Sequence, residues 1–350
     1  MSGQPGGLTL LVPGLLGPLR GMDSPGFPLP RAAALAAALT QALSRPETDR
    51  CYETRLLSLF GLHGGAEQDL PAAAFRRFVD LPQAQEGCWL CADPVHLRPD
   101  QSQLLLWDAG LLDIQPGESK ALVKALNGHF DSLGWEWVAA TPARWYLRLP
   151  ARARICTTPL SEAIGRAVDA RLPRGPEAAR WHAALNEIQM LLHGEPVNEA
   201  REAAGRPAIN GVWLWGGGEA PSQLRTPFDA VWAEEPLAQG LAGAAGVTAH
   251  ALPQGGEDWL QRTAGDGDHL LVLHHAWRPV LHQEPEAWRA AVEGLERDWL
   301  VPLLRALDRR RLGQIRLLTL SGFEVELHPR PWWRRWRRGR PLSEFWGTST

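Results

Sequence analysis

The sequence predicts an α/β protein built on a doubly wound core. Short apolar runs closed by glycine, proline or polar residues recur along the chain, the pattern of strands buried on both faces. LTLLV at 8–12, GVWLW at 211–215 and HLLVLH at 269–274 are examples. Amphipathic segments long enough for helices lie between them. From Gly211 onward the two kinds alternate in the order β-α-β-β-α-β, which parallel crossovers accommodate.

In chain order, the run at 8–12 is a strand stopped by Pro13-Gly14, and the Ala/Leu-rich stretch 31–43 is a helix. Arg45-Pro46 opens a less regular stretch, and QLLLW at 103–107 is the next strand. Pro116-Gly117-Glu118 starts a helix with Leu122, Leu126 and Phe130 on one face and Gly134 as its stop. Residues 135–139 and 144–149 pair about Thr141-Pro142, so this middle block is α+β rather than βαβ. Trp181, Leu185, Ile188 and Leu192 recur at helical spacing and make 180–193 an amphipathic helix. A helix at 235–245 leads to a strand at 247–252. A long helix over 286–307 carries the stripe Trp288, Val292, Leu295, Trp299 and Leu303, and 315–320 is a further strand.

With 350 residues, 45% hydrophobic and 21% charged, the chain can bury a sizeable core and is not globally disordered. A net charge of −3 demands neither nucleic acid nor an anionic membrane as partner. The opening MSGQPGGLTLLVPG has no basic n-region and its apolar run is cut by Pro13, so no signal peptide is expected. No stretch offers about 18 apolar residues in a row, so no transmembrane segment is expected either. The expectation is a cytoplasmic chain with free thiols at Cys51, Cys88, Cys91 and Cys156. Seventeen tryptophans against two tyrosines is unusual, but indoles are mostly core groups.

Four local patterns invite chemistry. Cys88-Trp89-Leu90-Cys91 is a CxxC with His96 five residues on; lacking a second CxxC, it reads as an ordinary pair near a strand. Asp93, His96, Arg98 and Asp100 form a dense polar group ahead of a strand, either lining a pocket or bonding within a structural loop. Gly216-Gly217-Gly218 follows a strand, as phosphate loops do, but without the Walker lysine close backbone packing is the better reading. WWRRWRR at 332–338 suits nucleic acid, an anionic membrane or an acidic partner. No nucleic-acid fold signature accompanies it, so tryptophans packed on the core with arginines in water is preferred.

A resemblance sharpens this picture. TTPLSEAIGRAVD from Thr157 is followed by LNEIQMLLHGEPVNEAREAAGRPAINGVWLWGGG from Leu185. The order of a helix, Pro196-Val197-Asn198 with Arg201, and Trp213-Leu214-Trp215-Gly216 with Gly218 resembles the archaeal-type cofactor-independent phosphoglycerate mutases. LVLHHAWRPVLHQEP, a long helix and the strand IRLLTL sit where that family has a His-rich loop, a helix and a strand ending in Asp-His. CADPVHLRPD at 91–100, WLWGGG and PLSEFW at 341–346 resemble, over nearly the whole chain, uncharacterised proteobacterial RpfE-type regulatory proteins. The resemblance implies an alkaline-phosphatase-like core over 1–50 and 195–330, an inserted α+β domain over 85–194 and an Arg/Trp-rich tail over 331–350.

The mutases move a phosphoryl group through a serine between two divalent metals, which neutralise the phosphate oxygens. The implied ligand positions are largely altered here. The first strand ends in Val12-Pro13-Gly14 where Asp-Gly is implied, and Arg278 stands for the Asp of the His-rich loop. His282 is kept, Ser321-Gly322 replaces an Asp-His pair, and His328 is the nearest final histidine. The vestigial cleft then comprises His274, His275, Arg278, His282 and His328, with His274 and His282 as the metal candidates. Asn198 and Arg201 join Asp93, His96, Arg98 and Asp100 as a candidate pocket.

Three readings follow from the sequence. The first is a non-catalytic, mutase-like regulatory protein that binds a small anionic ligand, through Arg278, or a protein partner, and needs no cofactor. The second is a phosphomutase or phosphohydrolase using Mn or Zn at a rearranged site. The third is an interaction protein docking through its Arg/Trp tail.

Overall fold

Twelve strands form among the described residues, most of them on the apolar runs of the sequence. They are β1 (Gly7–Leu11), β2 (Leu43–Pro46), β3 (Cys88–Asp100), β4 (Gln103–Asp108), β5 (Glu136–Thr141), β6 (Arg144–Leu149), β7 (Gly211–Trp215), β8 (Ala230–Trp232), β9 (Thr248–His250), β10 (His269–Val272), β11 (Gln314–Leu318) and β12 (Phe323–Leu327). The structure, a computed structural model, describes residues 6–24, 26–47, 49–64, 69–100, 103–263, 266–329 and 340–346. The WWRRWRR segment lies outside the described residues. No described helix is long and apolar enough to cross a membrane.

The chain divides into two units, residues 1–55 with 225–350, and residues 56–224. The first holds a seven-stranded sheet in the order β2-β12-β11-β1-β10-β8-β9. β11, β1, β10, β8 and β9 run parallel, while β12 and β2 extend one edge antiparallel. Helices Ala33–Gln41, Pro236–Ala244, Gly256–Thr263 and Pro285–Leu295 belong to this unit. The last continues through a π-helical turn at Glu296–Leu300 into Val301–Asp308, so the predicted long helix forms with one local widening. Its stripe of Trp288, Val292, Leu295, Trp299 and Leu303 is buried throughout. The π turn also places Glu296 where both carboxylate oxygens accept amides, from Ala34 at 2.6 Å and Leu35 at 3.0 Å. Those amides begin a helix whose own N-cap, Ala32, has no side-chain acceptor.

The second unit holds an antiparallel sheet in the order β4-β3-β6-β5, with β7 also paired to β3. This corrects the expected place of GVWLW: β7 joins this sheet, not the parallel one, so residues 195–224 fall in the second unit rather than the core. The parallel sheet takes the three-residue strand β8 instead. Helices Ala72–Asp80, Pro116–Phe130, Ala178–His193 and Pro196–Ala203 belong to the second unit. Its core centres on Trp135 and Trp181, stacked at 5.0 Å between centroids, with Phe130 against Trp135 at 5.1 Å.

Candidate functional site

In an open α/β sheet, the binding crevice lies at the carboxyl ends of adjacent strands whose onward connections run in opposite directions. Here β8 leads outward to β9, while its neighbour β10 leads back across the sheet to β11. The crevice therefore falls between the ends of β8 and β10, in the first unit. Three side chains meet there. His274 follows β10, Glu235 follows β8, and Tyr52 comes from the start of helix Tyr52–Ser58. The Tyr52 hydroxyl donates to Glu235 Oε2 at 3.1 Å, and its ring meets the His274 ring edge-on at 4.6 Å. Glu235 also accepts the amides of Leu237 and Ala238, capping the helix Pro236–Ala244.

In this triad the ring and the phenol are neutral beside the Glu235 carboxylate. Burial, helped by His275, lowers the His274 pKa to about 4, so the ring is an uncharged imidazole at neutral pH. Burial and then the Glu235 charge push the Tyr52 hydroxyl up, so it remains a donor. Tyr52 is almost fully buried and occupies the crevice itself. Beyond it, His275 and Arg278 are exposed on the turn and short helix after β10, and His282 is half-buried at the end of that helix. His328 does not join them. β12 runs antiparallel to β11, with Leu327 opposite Ile315, so the exposed His328 lies at the opposite edge of the sheet.

The end of β1 is filled with hydrocarbon. Val12, Leu15 and Leu16 have no exposed surface and share the unit's core with Ala276 and Val280. Gly14, at φ 77°, lies so close to the next turn that a Cβ there would stand 2.8 Å from the Ala276 carbonyl oxygen. The Trp288 indole donates to the Gly14 carbonyl at 2.8 Å. Beyond β11, Thr319 and Ser321 hydroxyls bond one another at 2.6 Å. Pro13, Ser321, Gly322 and Arg278 at the implied ligand positions supply no carboxylate or imidazole, and this donor set does not fit a pair of divalent metals. Among the described residues no three His, Cys, Asp or Glu side chains are grouped to hold a metal ion.

A second polar group sits at the β11–β12 end of the same sheet edge. Glu47 follows β2, and its amide donates to the Gly322 carbonyl at 3.0 Å. Its side chain has no exposed surface, and neither carboxylate oxygen accepts a well-formed hydrogen bond. Arg55 Nε lies 3.8 Å away, but the Arg55 guanidinium also bonds Glu324, which accepts from Arg316 at 2.7 Å as well. Burial raises the Glu47 pKa to about 7; Arg55, the Gly322 amide and Arg50 offset this only in part, and Glu324 adds to it.

In the second unit the expected pocket separates into structural parts. β3 pairs without a bulge, so alternation puts Asp93 on one face and His96, Arg98 and Asp100 on the other. Asp93 is buried; its Oδ2 accepts from Arg76 and from the Trp215 indole, each at 2.8 Å. The Arg76 guanidinium also lies over the Trp215 ring at 5.4 Å. On the other face, His96 Nδ1 pairs with the Ala208 carbonyl, and Arg98 covers the Trp107 ring at 4.9 Å. Asp100 is exposed. Asn198 uses its amide on the Leu192 and Ile209 carbonyls and the Ile209 amide, at 2.7–3.0 Å. Arg201, fully buried, binds the Pro207 and Leu112 carbonyls and Glu118. Burial pushes the Glu118 carboxyl up, but the Gln115 amide and then Arg201 and Arg206 outweigh it and hold it below the usual range.

The remaining patterns are also structural. Cys88 and Cys91 lie three apart on β3 and so point to opposite faces, which rules out shared chelation; all four cysteines are thiols rather than disulfides. In the glycine run, a Cβ would meet Ala72 Cβ at 2.9 Å from Gly216, Leu90 at 2.5 Å from Gly217, and the Asp69 carbonyl at 2.0 Å from Gly218. Asp69 in turn accepts from the Gly217 amide and the Thr157 hydroxyl. Sequence reasoning missed Tyr52, Glu235, Glu47, Arg55, Arg76 and Asp69. Most of these lie in the less regular stretch after Arg45, where no periodic signal points to them.

No family model matches the chain. A probable 2,3-bisphosphoglycerate-independent phosphoglycerate mutase of Geobacter sulfurreducens is 27% identical over 131 residues, 36% of this chain and 32% of that protein. The 2,3-bisphosphoglycerate-independent phosphoglycerate mutase of Methanosarcina barkeri is 27% identical over 168 residues, 45% of this chain and 40% of that protein. The matches thus span less than half the length of these relatives. The PH0037 protein of Pyrococcus horikoshii shares the fold, with a TM-score of 0.59 over 98% of this chain and 93% of that one at 13% identity. The mixed α/β architecture with its parallel sheet is therefore an alkaline-phosphatase-like one, and the chain's distant homologues are cofactor-independent phosphoglycerate mutases.

Proposed function

We propose that this chain is a phosphoglycerate-mutase-like regulatory protein of the cytoplasm, which binds a small anionic ligand and does not transfer phosphoryl groups. The observation that carries this reading is the filling of the sheet edge. Tyr52 occupies the β8–β10 crevice, and Val12, Leu15 and Leu16 close the end of β1 where metal chemistry needs solvated carboxylates. Arg278 is exposed beside this edge, and a guanidinium suits an anion rather than a cation. The RpfE-type resemblance supports a regulatory role.

Elemental analysis after incubation with Mn or Zn, on wild type and His282→Ala, tests the metal side. Neither protein is expected to retain stoichiometric metal. Near-stoichiometric metal lost in the variant would instead establish the metal-dependent phosphomutase or phosphohydrolase reading. Calorimetric titration with inorganic phosphate tests the ligand side: saturable binding should weaken about tenfold in Arg278→Ala, the loss of one charge-assisted contact. Unchanged binding in the variant would remove Arg278 from the site.

A further inference from the structure

Residues 49–55 connect the two polar groups at the sheet edge. Tyr52 stands in the β8–β10 crevice, and Arg55, one helical turn on, reaches the Glu47–Glu324 pair at the ends of β2 and β12. We propose that Glu47 is a proton-operated latch: protonated, it holds β2 and residues 49–55 on the sheet edge with Tyr52 in the crevice; ionised, it releases them and opens the crevice.

The geometry shows why the latch is poised. Two carboxylates compete for Arg55, and Glu324 takes its hydrogen bond, leaving Glu47 only a 3.8 Å approach to Nε. Charged groups reach Glu47 from three elements: Arg50 in the connecting loop, Arg55 on the helix, and Glu324, itself paired with Arg316, on β12. Arg50 packs directly over Gly322, where a Cβ would meet its Nη2 at 2.5 Å. A buried carboxylate with no well-formed hydrogen bond is much costlier charged than neutral, whereas in the open state it is simply hydrated. The element held is also the least costly to free. β2 has four residues, all exposed, and sits at the edge of the sheet.

The sign follows from linkage. Glu47 holds its proton more tightly in the closed state, near pH 7, than in an open state near its ordinary value of 4.5. The closed state is therefore fully favoured below the lower value. It loses ground as pH rises toward the upper one, and the loss levels off above it. Hydrogen exchange of amides in 43–55, corrected for intrinsic rates, tests this between pH 5 and 8. In the wild type the opening equilibrium should grow by at least about tenfold up to pH 7 and then flatten. In Glu47→Gln it should stay constant. An equal rise in the variant, or none in the wild type, overturns the latch. Should the variant fail to fold, the Glu47 side-chain carboxyl can be titrated by 13C NMR in the wild type. A midpoint near 7 supports the proposal and one near 4.5 ends it. Neither readout depends on what the crevice binds.

Discussion

Arg201 illustrates how a motif residue can serve the chain rather than a ligand. It ties the helix Pro196–Ala203 to the Leu112 and Pro207 carbonyls, and through Glu118 to the start of Pro116–Phe130. Replacing it strands two carbonyls inside the second unit, while Glu118 keeps Arg206 and the Gln115 amide. Arg201→Ala is expected to cost about 3 kcal/mol, read as a lowered urea midpoint, because the buried carbonyls lose their donor. Unchanged stability would return Arg201 to the list of ligand-binding candidates. The same contrast governs what was legible at this scale. A strand end flags His274 and its neighbours, because the chemistry of an open sheet is read there. Nothing in a sequence distinguishes a guanidinium that clamps backbone from one that awaits an anion. Tyr52 and Glu47 reach the same edge from remote positions, so no local pattern announces them.

Helices and strands were legible in proportion to their periodicity. The amphipathic helices Ala178–His193 and Pro116–Phe130 form close to where their apolar spacing places them. β7 shows the limit: GVWLW is buried on both faces in either kind of sheet, so its composition cannot choose between parallel and antiparallel partners. β2 and β8 are too short to carry a period, and FEVEL in β12 buries Glu324 along with Val325 and Leu327, against its own alternation. The π turn at Glu296–Leu300 interrupts no pattern in the sequence, yet it supplies the cap that helix Ala33–Gln41 lacks. Glu296→Ala should therefore cost about 1 kcal/mol, with the added exchange concentrated at Ala34 and Leu35. An effect spread evenly over the molecule would argue against a local cap.

For the molecule as a whole, the decisive sequence feature is that the second unit is one continuous stretch while the first is assembled from two. Residues 56–224 have their own sheet and their own aromatic core. Produced alone they should fold cooperatively and keep the near-ultraviolet circular dichroism of the stacked Trp135 and Trp181. A featureless spectrum would show that this core needs the rest of the chain. The first unit's discontinuity hides its boundary from the sequence: an apolar strand after a helix reads as core wherever it falls. The filled end of β1 has a consequence for substitution as well. An aspartate introduced at the buried position 13 would enter beside Val12, Leu15 and Leu16 as an uncompensated charge, costing several kcal/mol. Packing of this kind works as a ratchet. Each aliphatic side chain packed at this end of the sheet raises the cost of placing a charge there, so substitutions that keep hydrocarbon are tolerated and those that bring in a carboxylate are not.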